Sequence, residues 1–421
     1  MKIAVIHQPW NAAVPPVQVG SIAIWNYEVA RRLARSHEVA AYARKDAGEP
    51  TEKVHDGVRY RRVSIFPAPH GRLMRMLQSV SRKGGTGLPE FGRAGYYGAF
   101  AARVSRGIAR EGVDVIHVHN FSQFVPILRR HNPGARILLH MHCEWLTQLP
   151  SEVVRERVQQ VDGIVGCSGY IARTIAERYL ELAGRTGTLY NGVDVAQFFP
   201  HADERTAGRA RGPMLLYVGR ISPEKGLHVL LDAFRVVLQR HPESTLRIVG
   251  PDAVTPAQFL VEVTDDPVLR SLGAFYERNY FEWLRDRAEL EFAGRVHFFG
   301  TVPHDRLPEH YREADILVNP SLGESFGMSL IEAGACGIPV VACDAGGMPE
   351  AVRDGETGLL VKRGDADLLA GAILRLIDDA GLRRTLGRRG VEWAAKRFGW
   401  ERIAGDTLSR YETLGVSGSG K

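Results

Sequence analysis

Two glutamates, Glu324 and Glu332, bound the segment Glu324-Ser-Phe-Gly-Met-Ser-Leu-Ile-Glu332, which lies between the apolar runs Asp315-Ile-Leu-Val-Asn-Pro-Ser321 and Pro339-Val-Val-Ala-Cys-Asp344. Short apolar runs bounded by Gly or Pro mark parallel strands buried on both faces, so the piece between them has to be a loop followed by a crossover helix. Glu324 then falls in the loop. Glu332 falls little more than one turn into a helix that starts near Gly327 and packs through Leu330, Ala333 and Ala335. The amino end of such a helix points at the carboxyl edge of the sheet, where open α/β folds bind ligands, and its free N–H groups and dipole favour an anion. A carboxylate beside an anion site is tolerated when it accepts hydrogen bonds from neutral hydroxyls. A ligand that carries both phosphate and a hydroxyl-rich sugar meets both conditions. The plainer reading is two surface glutamates, one of them stabilising a helix start.

A second charged group, Gly219-Arg220-Ile-Ser-Pro-Glu-Lys225-Gly226, leaves an apolar run, turns at Pro223 and enters a helix. It carries two cations to the same kind of edge. Arg can fork onto two phosphate oxygens and Lys supplies a compact charge, each hydrogen bond to a charged group contributing about 1.5–3 kcal/mol. His117-Val-His119 and His140-Met-His142 each place two imidazoles on one face of a strand. No thiolate or carboxylate joins them at ligand spacing, so no metal is expected there. Asp365-Ala-Asp367, the only Asp-x-Asp triplet, opens an apolar-periodic run and reads as a helix cap. No Gly-x-Ser-x-Gly elbow, Walker loop or His-Glu-x-x-His is present.

These residues need a scaffold, and at 421 residues the chain is too long for one ordinary core. With 44% hydrophobic and 24% charged residues it is globular. Cys143, Cys167, Cys336 and Cys343 have neither metal-type nor redox-pair spacing and read as small buried hydrophobes in a reducing, cytoplasmic compartment. The opening run Lys2-Ile-Ala-Val-Ile-His7 is too short for a secretory signal, and no run is long enough to span a bilayer. That run reads as a strand, followed by a Pro-rich loop to Gly20-Ser21 and a helix packing through Ile24, Tyr27, Val29, Ala30 and Leu33. It lacks the Gly-x-Gly-x-x-Gly fingerprint, which argues against a simple dinucleotide dehydrogenase. Gly20 lets a phosphate approach the backbone, and Ser21 is placed to cap the helix.

Strands are expected at about 38–43, 58–63, 113–118, 136–142, 163–167 and 187–190, and again at 214–219, 245–249, 296–299, 316–318, 340–342 and 359–361. Their alternation with helical stretches means two doubly wound parallel α/β domains. The polar, Gly- and Arg-rich stretch 200–212 reads as the linker, giving domains at 1–199 and 213–398 and a terminal helix and tail at 399–421. The connection 251–294 is longer than one crossover helix needs, and such insertions are usually functional or protective. The formal charge of +6 is local, because 59–110 holds eleven cations against Glu90 alone. Within that segment Leu73, Met76, Leu77 and Val80 recur at helical spacing beside Arg72, Arg75, Arg82 and Lys83. The pattern suits either a core-packed helix with a solvated basic face or attachment to an anionic membrane surface. No motif supports nucleic-acid binding.

The paired-glutamate segment, with Pro320-Ser321 before it and Ala-Gly-Ala-Cys-Gly-Ile-Pro339 after it, closely resembles that of retaining glycosyltransferases of family 4 (glycosyl transferases group 1), and Gly219 to Gly226 resembles that family's diphosphate clamp. The resemblance is specific mainly from Gly219 to Val361. It departs where a Gly-Gly pair is usual before the first helix and Pro15-Pro16-Val17-Gln18-Val19 stand instead. It implies the GT-B fold, two Rossmann-like domains facing across a cleft, with the last helix returning to the first domain. It also implies transfer of a hexose-type sugar from a nucleoside diphosphate sugar, UDP-sugar by family frequency, with retention and without a metal or other cofactor. The acceptor would be a glycan, a lipid-linked or a small molecule in bacterial polysaccharide or glycoconjugate synthesis, on the cytoplasmic, inner face of the membrane. Carried over residue by residue, Gly20, Arg220, Lys225, Phe326 and Gly327 meet the diphosphate. Glu324 meets the sugar, Glu332 the ribose, His119 the transferred sugar, and His142 and Glu144 the acceptor. An epimerase of the same fold and a non-catalytic nucleotide-sugar binder are the alternatives; the intact clamp and both glutamates speak against them.

Overall fold

The computed structural model describes residues 1–10, 13–65, 88–200 and 212–416. The basic amphipathic helix expected around Leu73 to Lys83 and nearly all of the 200–212 linker lie outside the described residues. The chain forms two compact units, Met1–Leu189 with Glu401–Lys421, and Tyr190–Trp400. The division therefore falls at Leu189 and Tyr190, before the stretch whose composition suggested a linker. Tyr190 stays with the second unit because its ring packs on Phe326 and Phe398 at 5.8 and 5.6 Å, and Val193 N–H donates to the Phe398 carbonyl at 2.8 Å.

The first unit is built on an eight-stranded sheet of order β3-β4-β2-β1-β5-β6-β7-β8. Its strands are β1 (Lys2–Ile6), β2 (Glu38–Arg44), β3 (Glu52–His55), β4 (Val58–Val63), β5 (Val115–His119), β6 (Arg136–Met141), β7 (Gly163–Gly166) and β8 (Thr186–Thr188). All pairs are parallel except β3–β4, a hairpin closed by Asp56-Gly57 with φ of 48° and 76°. Strand β3 was not among the expected strands, although Asp-Gly between two short runs is the usual hairpin signal. Helix α1 (Ser21–Leu33) follows β1 and buries Ala23, Ile24, Trp25, Tyr27, Val29, Ala30 and Leu33. Its cap differs from expectation: Gly20, at φ 87°, is the N-cap and no side chain closes it, so Ser21 is an exposed first helical residue.

The second unit carries a six-stranded sheet of order β11-β10-β9-β12-β13-β14. Its strands, all parallel, are β9 (Met214–Val218), β10 (Thr245–Val249), β11 (Val296–Gly300), β12 (Ile316–Asn319), β13 (Val340–Asp344) and β14 (Gly358–Lys362). Helix α2 (Leu227–Arg240) follows β9 and α3 (Met328–Ala335) follows the loop after β12. Leu215, Tyr217, Leu230, Phe234, Ile248 and Ile316 belong to one fully buried cluster. The connection after β10 resolves into three short helical turns and the helix Tyr280–Glu291, capped by Asn279. That helix is the crossover itself: Tyr280 and Leu284 are buried in the same core, and Phe292 stacks on Phe234 at 5.8 Å. Asp365 caps the helix Ala366–Asp378 by accepting from Leu368 N–H at 2.9 Å, as its triplet suggested.

Helix α4 (Trp400–Thr413) belongs to the first unit from Glu401 onward. Glu401 pairs with Arg32 and Arg35 at 3.1 and 3.0 Å, and Tyr411 is fully buried. Of the four free cysteines, Cys143 is partly exposed and the other three are buried. Among the described residues no helix is long and apolar enough to cross a membrane.

Candidate functional site

In the second unit the carboxyl ends of β9 and β12 bring two of the expected residues together. Lys225 ends a short helical turn, Pro223–Lys225, and Gly226 at φ 69° bends the chain into α2. A Cβ on Gly226 would lie 2.1 Å from the Pro320 carbonyl oxygen, so only glycine lets the β9 and β12 loops touch. Lys225 Nζ thereby reaches Glu324 Oε2 at 2.7 Å, with both side chains largely buried. Glu324 Oε1 accepts from its neighbours' backbone, Ser325 N–H at 3.0 Å and Phe326 N–H at 3.5 Å. The loop after β13 holds the same residue from behind: Gly347 N–H donates to the Glu324 carbonyl at 2.9 Å, and a Cβ on Gly346 would lie 1.9 Å from that oxygen. Burial by itself would raise the Glu324 carboxyl; the Lys225 ammonium, the Phe326 N–H and Arg220 outweigh it and hold the carboxyl below its ordinary range.

Arg220 is half exposed and points its guanidinium at Glu224 Oε1, 3.3 Å, and Thr255 Oγ1, 2.9 Å. Glu224, at 4% exposure, is a buried acid that the sequence did not single out, although it stands between the two expected cations. Phe326 is 1% exposed and packs into an aromatic cluster, so only its backbone can face a ligand. Gly327, at φ 91°, is the N-cap of α3. Glu332 lies on α3 as expected, 3% exposed. Its Oε1 is hydrogen-bonded to His304 Nε2 at 2.8 Å, and its Oε2 accepts from the Tyr311 hydroxyl at 2.7 Å. Burial and this carboxylate hold the Tyr311 hydroxyl well above its usual value. A carboxylate offers about four lone-pair positions, so Glu332 retains capacity for a further donor. His304 and Tyr311, from the segment after β11, had no motif to reveal them.

In the first unit the two His-x-His pairs form a square. Strands β5 and β6 run parallel with His119 opposite His140. His117 stacks on His119 at 4.5 Å and His140 on His142 at 4.0 Å between ring centres. Across the strands His117 Nε2 meets His140 Nδ1 at 3.2 Å, and His119 Nδ1 meets His142 Nε2 at 2.9 Å. Trp25 of α1 lies edge-on to all four rings, and His117 Nδ1 bonds the Tyr411 hydroxyl at 2.7 Å. Burial pushes His117 and His142 down to about 3, and His119 and His140 well below the ordinary imidazole range, so all four are neutral at pH 7.

The backbone N–H of His142 donates to Asn120 Oδ1 at 2.6 Å. Glu144 accepts from the Tyr170 hydroxyl and, at 3.5 Å, from Gln148 Nε2. Ring nitrogens of His117, His119 and His140 lie within 4.8 Å of one another, the one group among the described residues compact enough to hold a metal ion. His117 uses both nitrogens in the bonds given above, so an ion held by all three rings would have to displace one of those bonds. Within this group the buried ring nitrogens with no hydrogen-bond partner among the described residues are His119 Nε2, His140 Nε2 and, just past the end of β1, both nitrogens of His7.

Two parallel-sheet α/β units of this kind, each with its polar side chains gathered at the carboxyl ends of the strands, define the GT-B fold, the class of many sugar-transferring enzymes. The chain belongs to the group 1 glycosyltransferases of family 4. The family model described as "Glycosyl transferases group 1" matches residues 201–393, and that described as "Glycosyltransferase Family 4" matches 22–197. D-inositol 3-phosphate glycosyltransferase of Salinispora tropica is 30% identical over 96% of this chain and 82% of its own. Among solved structures, sucrose-phosphate synthase from Thermosynechococcus elongatus superposes with a TM-score of 0.73 at 28% identity, covering 98% of both chains. HepE of Anabaena, solved in complex with UDP and glucose, has a TM-score of 0.70 at 21% identity over 99% of this chain and 100% of its own. Glycosyltransferase activity follows from this membership.

Proposed function

We propose that the chain transfers a hexose-type sugar from a nucleoside diphosphate sugar, a UDP-sugar foremost, to a glycan, lipid-linked or small-molecule acceptor in polysaccharide or glycoconjugate synthesis. Transfer retains the anomeric configuration and uses no metal. The observation that carries this reading is the buried Lys225–Glu324 pair, 2.7 Å apart, between the loops that bear Arg220 and the start of α3. It sets an ammonium and a guanidinium beside backbone N–H groups that suit a diphosphate, and beside a carboxylate kept ionised to accept from sugar hydroxyls. HepE's recorded binding of UDP supports a uridine donor.

In this reading the bond from the anomeric carbon to the diphosphate breaks first. Arg220, Lys225 and the N–H groups at Phe326 and Gly327 stabilise the departing phosphate where charge develops. The acceptor hydroxyl attacks on the same face, and the leaving phosphate takes its proton. Glu324 accepts from the sugar hydroxyls and Glu332 from the ribose. Within the first unit, Gly20 and His119 take the donor-side roles the family resemblance implies, and His142 and Glu144 the acceptor-side ones.

The decisive experiment incubates the protein with a panel of nucleotide sugars, with and without cell-extract acceptors. Acceptor-dependent nucleotide release with an α-linked product from an α-linked donor is expected. Free nucleotide together with an altered sugar and no acceptor would instead identify an epimerase, and no release under any condition would leave a binding protein. Activity should persist in excess EDTA, because protein cations meet the diphosphate charge; complete loss restored by manganese or magnesium would overturn the metal-free mechanism. Glu332→Gln, which keeps an acceptor for Tyr311, should weaken nucleoside diphosphate binding about tenfold, the usual loss for one charge-assisted hydrogen bond. Isothermal titration giving the wild-type affinity would remove Glu332 from the ribose.

A further inference from the structure

We propose that Glu224 and Thr255 are positioning residues for Arg220, and that the long connection after β10 serves the donor site by delivering Thr255 to it. This rests on the assignment of Arg220 to the donor diphosphate. The two loops are joined edge to edge: Ile221 N–H donates to the Pro251 carbonyl at 2.9 Å, and Ile221 forms an isolated bridge with Asp252. Thr255 N–H then donates to Ser222 Oγ at 3.0 Å, and Ser222 Oγ donates to Glu224 Oε2. Thr255 Oγ1 donates to Glu224 Oε1 at 2.8 Å and accepts from Arg220 at 2.9 Å, while a second guanidinium nitrogen meets Glu224 at 3.3 Å. Each hydroxyl in this ring has one proton and gives it to Glu224, so the donors and acceptors close without conflict.

A buried carboxylate beside an anion site is unfavourable in isolation, and its presence calls for a reason. Glu224 is 4% exposed, whereas the Arg220 side chain is 47% exposed. The carboxylate and the Thr255 hydroxyl therefore fix two nitrogens of a long side chain from the protein side, while about half of that side chain stays exposed. An arginine free to rotate would have to be ordered by the ligand. One held in place meets the phosphate without that loss, as preorganised charge stabilisers do. The helical turn Ser271–Glu277, from later in the same connection, packs against Pro223–Lys225, so the connection supports this loop at two points.

The test is a double-mutant cycle on affinity for whichever of UDP, GDP and ADP binds the wild type most tightly, with turnover measured alongside. Arg220→Ala should weaken binding. Thr255→Val, which keeps the shape and removes both bonds, should weaken binding and turnover about tenfold in the wild type and by less than about twofold in the Arg220→Ala background. Thr255→Ser, which keeps the hydroxyl, should behave as wild type, and Glu224→Gln should follow the same background dependence as Thr255→Val. Equal losses for Thr255→Val in both backgrounds, or none in either, would overturn the positioning role while leaving the diphosphate assignment standing. Unchanged nucleotide affinity in Arg220→Ala, or no binding of any probe by the wild type, would overturn the assignment itself.

Discussion

Replacement of Lys225 by alanine is expected to lower turnover by about a hundredfold or more, and Arg220→Ala by about a hundredfold, as when a preorganised charge stabiliser is removed. Lys225 should be the more damaging loss. Its ammonium lies 2.7 Å from Glu324 in a largely buried pair, so its removal withdraws a cation from the diphosphate and also strands a carboxylate. With Lys225 present the Glu324 carboxyl is held below its ordinary range against the opposing effect of burial. Without it, burial dominates and the carboxyl rises. The activity of Lys225→Ala should therefore fall away at a higher pH than that of the wild type as pH is lowered, because Glu324 accepts from sugar hydroxyls only while ionised. Arg220→Ala should leave the acid limb of the profile closer to its wild-type position. Near-normal turnover in the Arg220→Ala/Lys225→Ala double mutant would remove both residues from the diphosphate, and coincident acid limbs in Lys225→Ala and wild type would show that Glu324 is not the group that titrates.

The second large effect is acid lability. His7 and His117, each at most 1% exposed, are pushed down to about 3 by burial, from the ordinary imidazole value of 6.5. A depressed folded-state value means that the unfolded chain binds the proton more readily. Stability is therefore fully present above about pH 6.5 and is lost as pH falls toward 3. At pH 5 each of these two groups costs about 2 kcal/mol relative to neutral pH, together about 4 kcal/mol of a typical stability of 5–15 kcal/mol. His119 and His140, fully buried and shifted in the same direction, add to this. The thermal midpoint should drop steeply between about pH 7.5 and pH 5 and recover on neutralisation. A midpoint that stays level over that interval would mean that the histidine square opens to water or gains protons without disruption.

What the sequence by itself determined is the local framework. Runs such as Met214–Val218 and Val340–Asp344 are short, apolar and followed by Gly, Pro or a charged turn, and nothing but a strand in a doubly covered sheet buries them. Glu324 in a loop and Glu332 on the next helix follow from the same periodicity, and the cap at Asp365 from composition. The resemblance was equally legible, because each of the two segments that carry it, Gly219 to Gly226 and Glu324 to Glu332, is continuous along the chain.

Only the tertiary structure decided who pairs with whom. Glu324 and Lys225 are far apart in sequence and meet because β12 lies beside β9 and Gly226 lets their loops touch. Glu224 looked like one more charge in a turn until Thr255, from the next strand's loop, enclosed it. Glu332 reads as a helix glutamate, yet Tyr311 and His304 of another segment hold both its oxygens. The four histidines could be placed on two strand faces by the two-residue period. That they form one neutral, hydrogen-bonded square under Trp25 depended on β5 and β6 being neighbours in a register that sets His119 against His140, and on the last helix bringing Tyr411 to His117. A sequence pattern specifies which face a side chain takes, because that is a property of the local backbone. Which other face it meets is set by strand order and register, and those depend on contacts between residues distant in the chain.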